Sequence, residues 1–274
     1  MKIAFIGCGN MAQSLIGGMI ANGTSGNDIV VADPSDAATA DAAKKWNVTV
    51  ASSNSTAVSD ANVVVLAVKP QQMKNVLTAI SDQLSDQLLV SIAAGIQTKD
   101  MTIWADSPQV AMVRCMPNTP ALLQCGATGL FAAGNVTEDQ RRIAEAILTA
   151  VGLTAWVEQE SQLDAITALS GSGPAYFFLM IEAMTDAATE LGLSRDLAIQ
   201  FATQTALGAA RMTTESDIEP AQLRQNVTSP AGTTEAALNS FKHSNFNQIV
   251  AHAMQAADKR ARELGLELGL ELGQ

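Results

Sequence analysis

Lys2-Ile3-Ala4-Phe5-Ile6 runs straight into Gly7-Cys8-Gly9-Asn10-Met11-Ala12, and an apolar helical pattern follows to about Ile20. A short, β-prone run feeding a G-x-G-x-x-A turn at the mouth of a helix is the dinucleotide-binding fingerprint. Each small residue has a separate task. Gly7 permits the tight turn, Gly9 leaves no Cβ between backbone and pyrophosphate, and Ala12 lets helix and strand pack closely. The helix start then presents free N–H groups and a partial positive charge to an anion. This stretch predicts a strand–turn–helix unit at the head of a doubly wound sheet.

The rest of the first half repeats that unit. Short apolar runs at 2–6, 28–32, 48–51, 62–68, 87–93, 109–115, 127–131 and 153–157 read as strands. They alternate with helical patterns at 10–22, 35–46, 54–59, 71–80, 98–104 and 138–151. Such alternation implies an α/β architecture with a Rossmann-type, mostly parallel sheet. Val63-Val64-Val65-Leu66-Ala67-Val68 is apolar throughout rather than alternating, as a strand covered on both faces should be. Thr137-Glu138-Asp139-Gln140 is a capping box, so a helix starts at 138.

After Glu158 the strand signals vanish. From Tyr176 the apolar positions keep a 3.6-residue period, and further helices are predicted over 194–213, 220–225, 234–242 and 245–264. Ser194 and Asn245 are capping residues and Pro220 sits at a first helical position. The expected domains are residues 1–158 for dinucleotide binding and 159–274 for an all-α oligomerisation domain. The Ala/Met/Leu stripe there is more than a lone helical appendage could cover, which predicts a homodimer or a larger homo-oligomer. The Leu-Gly-Leu-Glu repeat from Leu264 to Gly273 has glycine at every fourth position, each weakening a helix by roughly 1 kcal/mol. It reads as a fraying extension without a function.

Composition narrows the partners. In 274 residues the net charge is −11, with 47% apolar and 16% charged residues. That balance describes a folded chain with a large core, and it argues against nucleic acid or an anionic membrane. An anionic ligand must be held by local amides and helix ends. Cys8, Cys115 and Cys125 have no metal-ligand spacing, and His243 and His252 are the two histidines. No metal site is readable, and the thiols are expected to be buried and reduced in a cytoplasmic protein.

Candidate chemistry sits at the strand ends. β-prone Val30-Val31-Ala32 ends in Asp33-Pro34-Ser35, where an acidic residue normally accepts from the adenosine ribose and repels a 2′-phosphate. Asp28 to Ala43 holds no Lys or Arg, so a 2′-phosphate clamp is missing. The other reading of Asp33 is simply the start of a turn before Pro34. Ala67-Val68-Lys69-Pro70 and Ser91-Ile92-Ala93-Ala94-Gly95 end two further strands at the edge where cofactors lie in this architecture. Two later segments look like loops. Ser170-Gly171-Ser172-Gly173-Pro174-Ala175-Tyr176 interrupts a helical pattern. Val227-Thr228-Ser229-Pro230-Ala231-Gly232-Thr233-Thr234-Glu235 opens a helix with hydroxyls and small residues, as an anion nest or as a plain N-cap.

Phe5-Ile6-Gly7-Cys8-Gly9-Asn10-Met11, Ala67-Val68-Lys69-Pro70-Gln71, Arg114-Cys115-Met116-Pro117-Asn118-Thr119-Pro120, Leu169–Tyr176 and Ser229–Thr234 occur in the order found in the pyrroline-5-carboxylate reductase family, which this chain resembles over nearly its whole length. The last two motifs are specific to that family; the first belongs to many dehydrogenases. One departure is Ala231, where the family usually has a second glycine.

The resemblance implies hydride transfer from NADPH, with NADH also plausible, to the imine of 1-pyrroline-5-carboxylate, giving L-proline. It assigns Thr234 to the imine nitrogen as the catalytic residue, and Ser229, Gly232 and Thr233 with it to the substrate. It places the cofactor against Ile6, Gly7, Cys8, Gly9, Asn10 and Met11, against Asp33, Ser35 and Asn54, against Ala67, Val68, Lys69 and Pro70, and against Ala93, Ala94 and Gly95. The missing acid–base residue then makes sense, because a protonated imine is already electrophilic and needs orientation more than a strong acid. Two other readings are a β-hydroxyacid-type dehydrogenase and a non-catalytic nucleotide sensor on the same fold. The first needs a lysine on a helix of the second domain, and residues 159–241 contain none.

Overall fold

The structure, a computed structural model, describes residues 1–273, with side chains through residue 269. In chain order it runs β1 (Ile3–Ile6), α1 (Asn10–Ala21), β2 (Ile29–Ala32), α2 (Asp36–Trp46), β3 (Thr49–Val50), α3 (Asn54–Val58), β4 (Val63–Leu66), α4 (Met73–Ile80), β5 (Leu88–Ser91), α5 (Thr98–Trp104), β6 (Ala111–Met116), β7 (Gly126–Ala132), α6 (Glu138–Thr149) and β8 (Gly152–Trp156). All strands join one sheet in the order β3-β2-β1-β4-β5-β6-β7-β8. Pairing is parallel except between β6 and β7. The link between those two is a short 3-10 turn over Thr119–Leu123, too short for the helical crossover that parallel strands need.

Strand composition follows from burial on both faces. Ile3 and Phe5 of β1 enter one core with Val63, Val65 and residues of α1, α2 and α6, while Ala4 and Ile6 enter the other with Val64, Leu66 and residues of α3, α4 and α5. Successive side chains point to opposite faces, and each face is covered by helices, so both sets in β1 and β4 are apolar. Each fully buried Leu, Ile or Val contributes roughly 1.5–3 kcal/mol.

The chain leaves β1 toward β2 and β3 on one side, then crosses back to β4 on the other. That reversal makes the gap above β1 and β4 the topological switch point, where ligands of open α/β sheets bind. Ala32, Ile6, Leu66, Ser91 and Arg114 stand in one transverse row, the first four at the carboxyl ends of their strands and Arg114 two residues before the end of β6.

Beyond β8 the chain is helical: α7 (Gln162–Ile166), α8 (Gly173–Glu190), α9 (Arg195–Thr214), α10 (Pro220–Asn226), α11 (Thr233–His243) and α12 (Phe246–Gly273). Residue 158 marks the end of the sheet, but contacts divide the chain elsewhere. One compact unit is Met1–Ser172 with Ala257–Gln274, and the other is Gly173–Ala256. In the second unit Thr185, Ala198 and Ala202 are buried, whereas Phe177, Phe178 and Phe201 are 68%, 66% and 64% exposed. No described helix is long and apolar enough to cross a membrane.

Three expectations need correction. Ser170–Tyr176 is not a loop. Thr167–Gly171 forms a π-turn closed by the Ser172 N–H donating to the Thr167 carbonyl at 2.8 Å, and α8 starts at Gly173 with Pro174 in its first turn, where no amide donor is required. The Leu-Gly-Leu-Glu tail is not a fraying extension, since it continues α12 and Leu268 is 8% exposed within the core that covers β4 and β5. Cys8 and Cys115 are buried as expected, but Cys125 is exposed.

A buried ionic cluster joins β6, α5 and α7. Arg114 is 4% exposed; its Nη1 donates to Glu160 Oε1 at 3.1 Å, and Nη2 lies 4.0 Å from Asp164 Oδ1. Glu160 also accepts from the Thr98 amide at 2.8 Å and from the Thr98 hydroxyl at 2.7 Å. Burial pushes the Asp164 carboxyl up, and Arg114 and Arg262 oppose that shift. Removing one member of a buried ion pair strands the other charge at a cost of about 3–5 kcal/mol. Arg114→Met is therefore expected to lose several kcal/mol of unfolding free energy in a urea titration. Wild-type stability would mean that Glu160 is solvated rather than paired.

Candidate functional site

At the Gly-rich turn the backbone is constrained on both sides. Gly7 has φ of +97°, and a Cβ there would lie 2.5 Å from the Ala67 carbonyl oxygen, so glycine is required by conformation and by contact with the neighbouring strand end. The Gly7 amide donates to the Ala32 carbonyl at 2.8 Å, and the Ala67 amide donates to the Ile6 carbonyl at 2.8 Å. Gly9 is different. A Cβ added there would meet nothing within 4 Å. Gly9 is also the N-cap of α1, with no side chain bonded to the first-turn amides. The empty arc above Gly9 and the amides of Asn10 and Met11 form a cradle for an anion.

Asp33 braces this turn. Its Oδ2 accepts from the Cys8 amide at 2.7 Å and its Oδ1 from the Ser35 amide at 2.8 Å. Both readings of the residue therefore have a place: it starts the turn after β2, and each oxygen keeps a further lone pair for a ligand hydroxyl. Ser35 is the N-cap of α2, accepting from the Ala38 amide at 3.4 Å. The Cys8 thiol is buried against the Ala38 carbonyl, and burial with the Asp33 and Asp41 carboxylates pushes it up to about 11. It is no nucleophile at neutral pH.

The remaining strand ends complete the edge. Ala67, Val68, Lys69 and Pro70 follow β4, Ala93, Ala94 and Gly95 follow β5, and Asn54 starts α3 behind the Ser53 cap. Because the strands are in register, the residues from Asp33 to Ala93 stand across three strand spacings, about 14 Å. All the predicted cofactor residues thus lie along one edge of the first unit.

The hydroxyl-rich segment lies in the second unit, at the start of α11. Gly232 is the N-cap and no side chain caps the helix, so neither Thr233 nor Thr234 is spent on capping. Gly232 packs closely on Ser229: a Cβ would force Ser229 Oγ to turn away and would lie 3.0 Å from the Ser229 carbonyl oxygen. Ala231 adopts φ of +55°, the left-handed conformation that a glycine would take without strain, and this costs an L-residue roughly 1–2 kcal/mol. The Ala231 amide donates to Glu235 Oε2 at 2.7 Å and the Gly232 amide to the Ser229 carbonyl at 3.0 Å. The nest expected here is consequently narrower than its sequence suggests. What stays available is the first-turn amides of Thr233, Thr234 and Glu235 with the threonine hydroxyls.

Two motifs that sequence reasoning left without a role meet in the first unit. The Asn118 side chain donates to the Ser170 carbonyl at 3.0 Å and accepts from the Ala127 amide at 2.9 Å. A Cβ on Gly171 would sit 2.6 Å from Met116 Cε. Asn118 therefore ties the turn after β6 to the π-turn. Its position next to Pro117 in a strand-end motif was the available signal.

With this geometry, similarity to known proteins is informative. Residues 160–264 match the family model for pyrroline-5-carboxylate reductase dimerisation, and residues 2–95 match the model described as NADP oxidoreductase coenzyme F420-dependent. The chain is 52% identical to the pyrroline-5-carboxylate reductase of Pseudomonas aeruginosa, over 97% of this chain and 98% of that protein. The chain belongs to the pyrroline-5-carboxylate reductase family. The Pisum sativum reductase is 41% identical over 96% of this chain and 95% of that protein. Among solved structures, a pyrroline-5-carboxylate reductase from Coxiella burnetii matches with a TM-score of 0.93 and 45% identity, covering 96% of this chain and 98% of that one. The Plasmodium falciparum pyrroline carboxylate reductase, solved with NADP bound, matches at 0.84 with 31% identity, covering 97% and 98%.

Family membership accounts for the division of labour between the units: a dinucleotide-type edge in the first and a dimerisation-type helical array in the second. It also gives the exposed phenylalanines of α8 and α9 a reason, since helices that match a dimerisation domain are built to be covered.

Proposed function

We propose that this chain reduces the C=N bond of 1-pyrroline-5-carboxylate to give L-proline, with NADPH as the main hydride donor and NADH accepted. The observation that carries the cofactor assignment is Gly9, the turn residue whose Cβ position is open, beside amides aimed at that space. The direct test is oxidation of NADPH, followed by absorbance, on addition of the cyclic imine. No turnover with the imine, despite tight NADPH binding, would favour the nucleotide-sensor reading.

Reduced nicotinamide, when bound, would supply the hydride to the carbon of the protonated imine, whose C=N π electrons become the lone pair of the amine nitrogen. The residues of the chain have to bind and orient. The first-turn amides of α11 and the Ser229–Thr233 loop hold the substrate carboxylate, helped by the partial positive charge of the helix start. Glu235 works against that charge, so its bond to Ala231 serves to tie its oxygen away from the free amides. The Thr234 hydroxyl meets the ring nitrogen, accepting from the N–H of the protonated imine and donating to the lone pair of the amine formed. Fixing the ring by two groups supplies orientation rather than acid catalysis.

In the first unit Asp33 accepts from the ribose while bracing the turn. Its charge, and the absence of Lys or Arg between residues 28 and 43, supports tolerance of NADH beside NADPH. The apolar faces of α8 and α9 are covered in a homodimer or larger homo-oligomer, and no nucleic acid or membrane is required as a partner.

Asp33→Ser should shift the kcat/KM ratio of the two cofactors toward NADPH while weakening both, because the Cys8 and Ser35 amides lose their carboxylate. A ratio that does not move would place Asp33 away from the 2′-position. Thr234→Ala should lower kcat/KM for the imine by roughly 10- to 100-fold, the ~1.4–2.7 kcal/mol of one well-placed hydrogen bond, with cofactor affinity nearly unchanged. Thr234→Ser should retain much of the activity. Near-normal kcat/KM in Thr234→Ala would remove this hydroxyl from the site.

A further inference from the structure

We propose that the last turns of α12, the Leu-Gly-Leu-Glu repeat, are a positioning element that holds the Ala93–Gly95 strand end in its cofactor-facing conformation; this rests on the assignment of Ala93–Gly95 to the cofactor edge. Gly95 has φ of +82°, and a Cβ on it would lie 3.1 Å from Leu268 Cδ1 and 3.8 Å from the Gly265 amide. Seen from the other side, a Cβ on Gly265 would lie 3.0 Å from the Gly95 carbonyl oxygen. The two backbones therefore touch, glycine against glycine. One turn further on, a Cβ on Gly269 would lie 3.0 Å from Asp100 Oδ2. Gly265 and Gly269 are four residues apart and share one helix face.

The spacing of the repeat thus matches the docking. Glycine at every fourth position clears a smooth strip along the helix, and Leu268 beside it inserts into the core that contains Ala93, Ile96, Met101 and Trp104. Leu266, which faces away, is 58% exposed. This contact opposes the helical cost of the glycines, and on the exposed side the Arg260 guanidinium donates to Glu267 two turns later at 2.8 and 3.1 Å. Burial also raises the Asp100 carboxyl above its usual range, as expected where Gly269 covers it.

Gly95 links β5 to α5, and Ala93 and Ala94 precede it at the mouth. A loop containing glycine in a left-handed conformation has alternatives at low cost unless something packs against it. The last turns of α12 supply that packing, so their removal should loosen the cofactor edge of the first unit without touching the groups assigned to the imine.

The test compares four proteins with the full chain: one ending at Glu263, Gly265→Val, Gly265→Ala, and Leu266→Ser as the exposed-face control. NADPH binding is measured directly by fluorescence titration, alongside KM for each substrate, kcat and Tm. The shortened chain and Gly265→Val should raise the NADPH Kd and KM about 10-fold, with KM for the imine and kcat at saturating NADPH within 2-fold. Gly265→Ala should fall between, and Leu266→Ser should match the full chain. Folded Gly265→Val with unchanged NADPH affinity overturns the proposal, even if the shortened chain fails to fold. Equal losses in both KM values and kcat would also overturn it, as a general loosening. A full chain that does not bind NADPH fails the cofactor reading itself, and with it this inference.

Discussion

Between Ile6 and Asn10 the chain must leave β1, reverse, and begin a helix beside the end of β4. It does so with the Gly7 backbone pressed against the Ala67 carbonyl, its amide on Ala32, and the next amide on Asp33. The turn is thereby bonded to β2 on one side and packed on β4 on the other. Any side chain at position 7 would separate the strands, and any loosening at Asp33 would free the turn. The edge residues on β2, β1 and β4 keep their spacing because this turn is held from both sides.

That constraint also separates two kinds of glycine that look alike in a motif. Gly7 and Gly232 are glycines because protein atoms occupy the place of a Cβ, Ala67 in one case and Ser229 in the other. Gly9 is a glycine facing open space, which suits a ligand rather than a neighbour. The same logic recovers the tail, where a Cβ on Gly265 would press on the Gly95 carbonyl and one on Gly95 would press on Leu268.

The sheet was legible because its central strands β1, β4 and β5 are buried on both faces, so runs such as Val63–Leu66 are apolar without interruption, and the exposed β3 and half-exposed β8 were found at the sheet edges as well. Helix starts were legible where a side chain caps, as at Thr137 and Ser194. The failures share a cause. Glycine and serine in Ser170–Gly173 and glycine in the tail have low helix propensity, and tertiary contacts overrode it: Asn118 and Met116 at the π-turn, Gly95 and Leu268 at the tail. Propensity cannot register a partner distant in sequence. For the same reason the Glu235 bond to Ala231 and the double use of Asp33 were invisible, although the residues themselves were singled out.

The most direct measurement on the central claim is NADPH affinity and Tm for Gly9→Val. The added side chain meets no protein atom near its Cβ, and the backbone of residue 9 has φ of −73° and ψ of −177°, which valine adopts readily. The account predicts a Tm lowered by no more than a few degrees, because valine is a poorer N-cap than glycine, with NADPH affinity reduced by at least about 100-fold, since the isopropyl group would stand where the pyrophosphate must approach. Full NADPH affinity in a stable Gly9→Val protein would contradict it and would move the cofactor away from this turn.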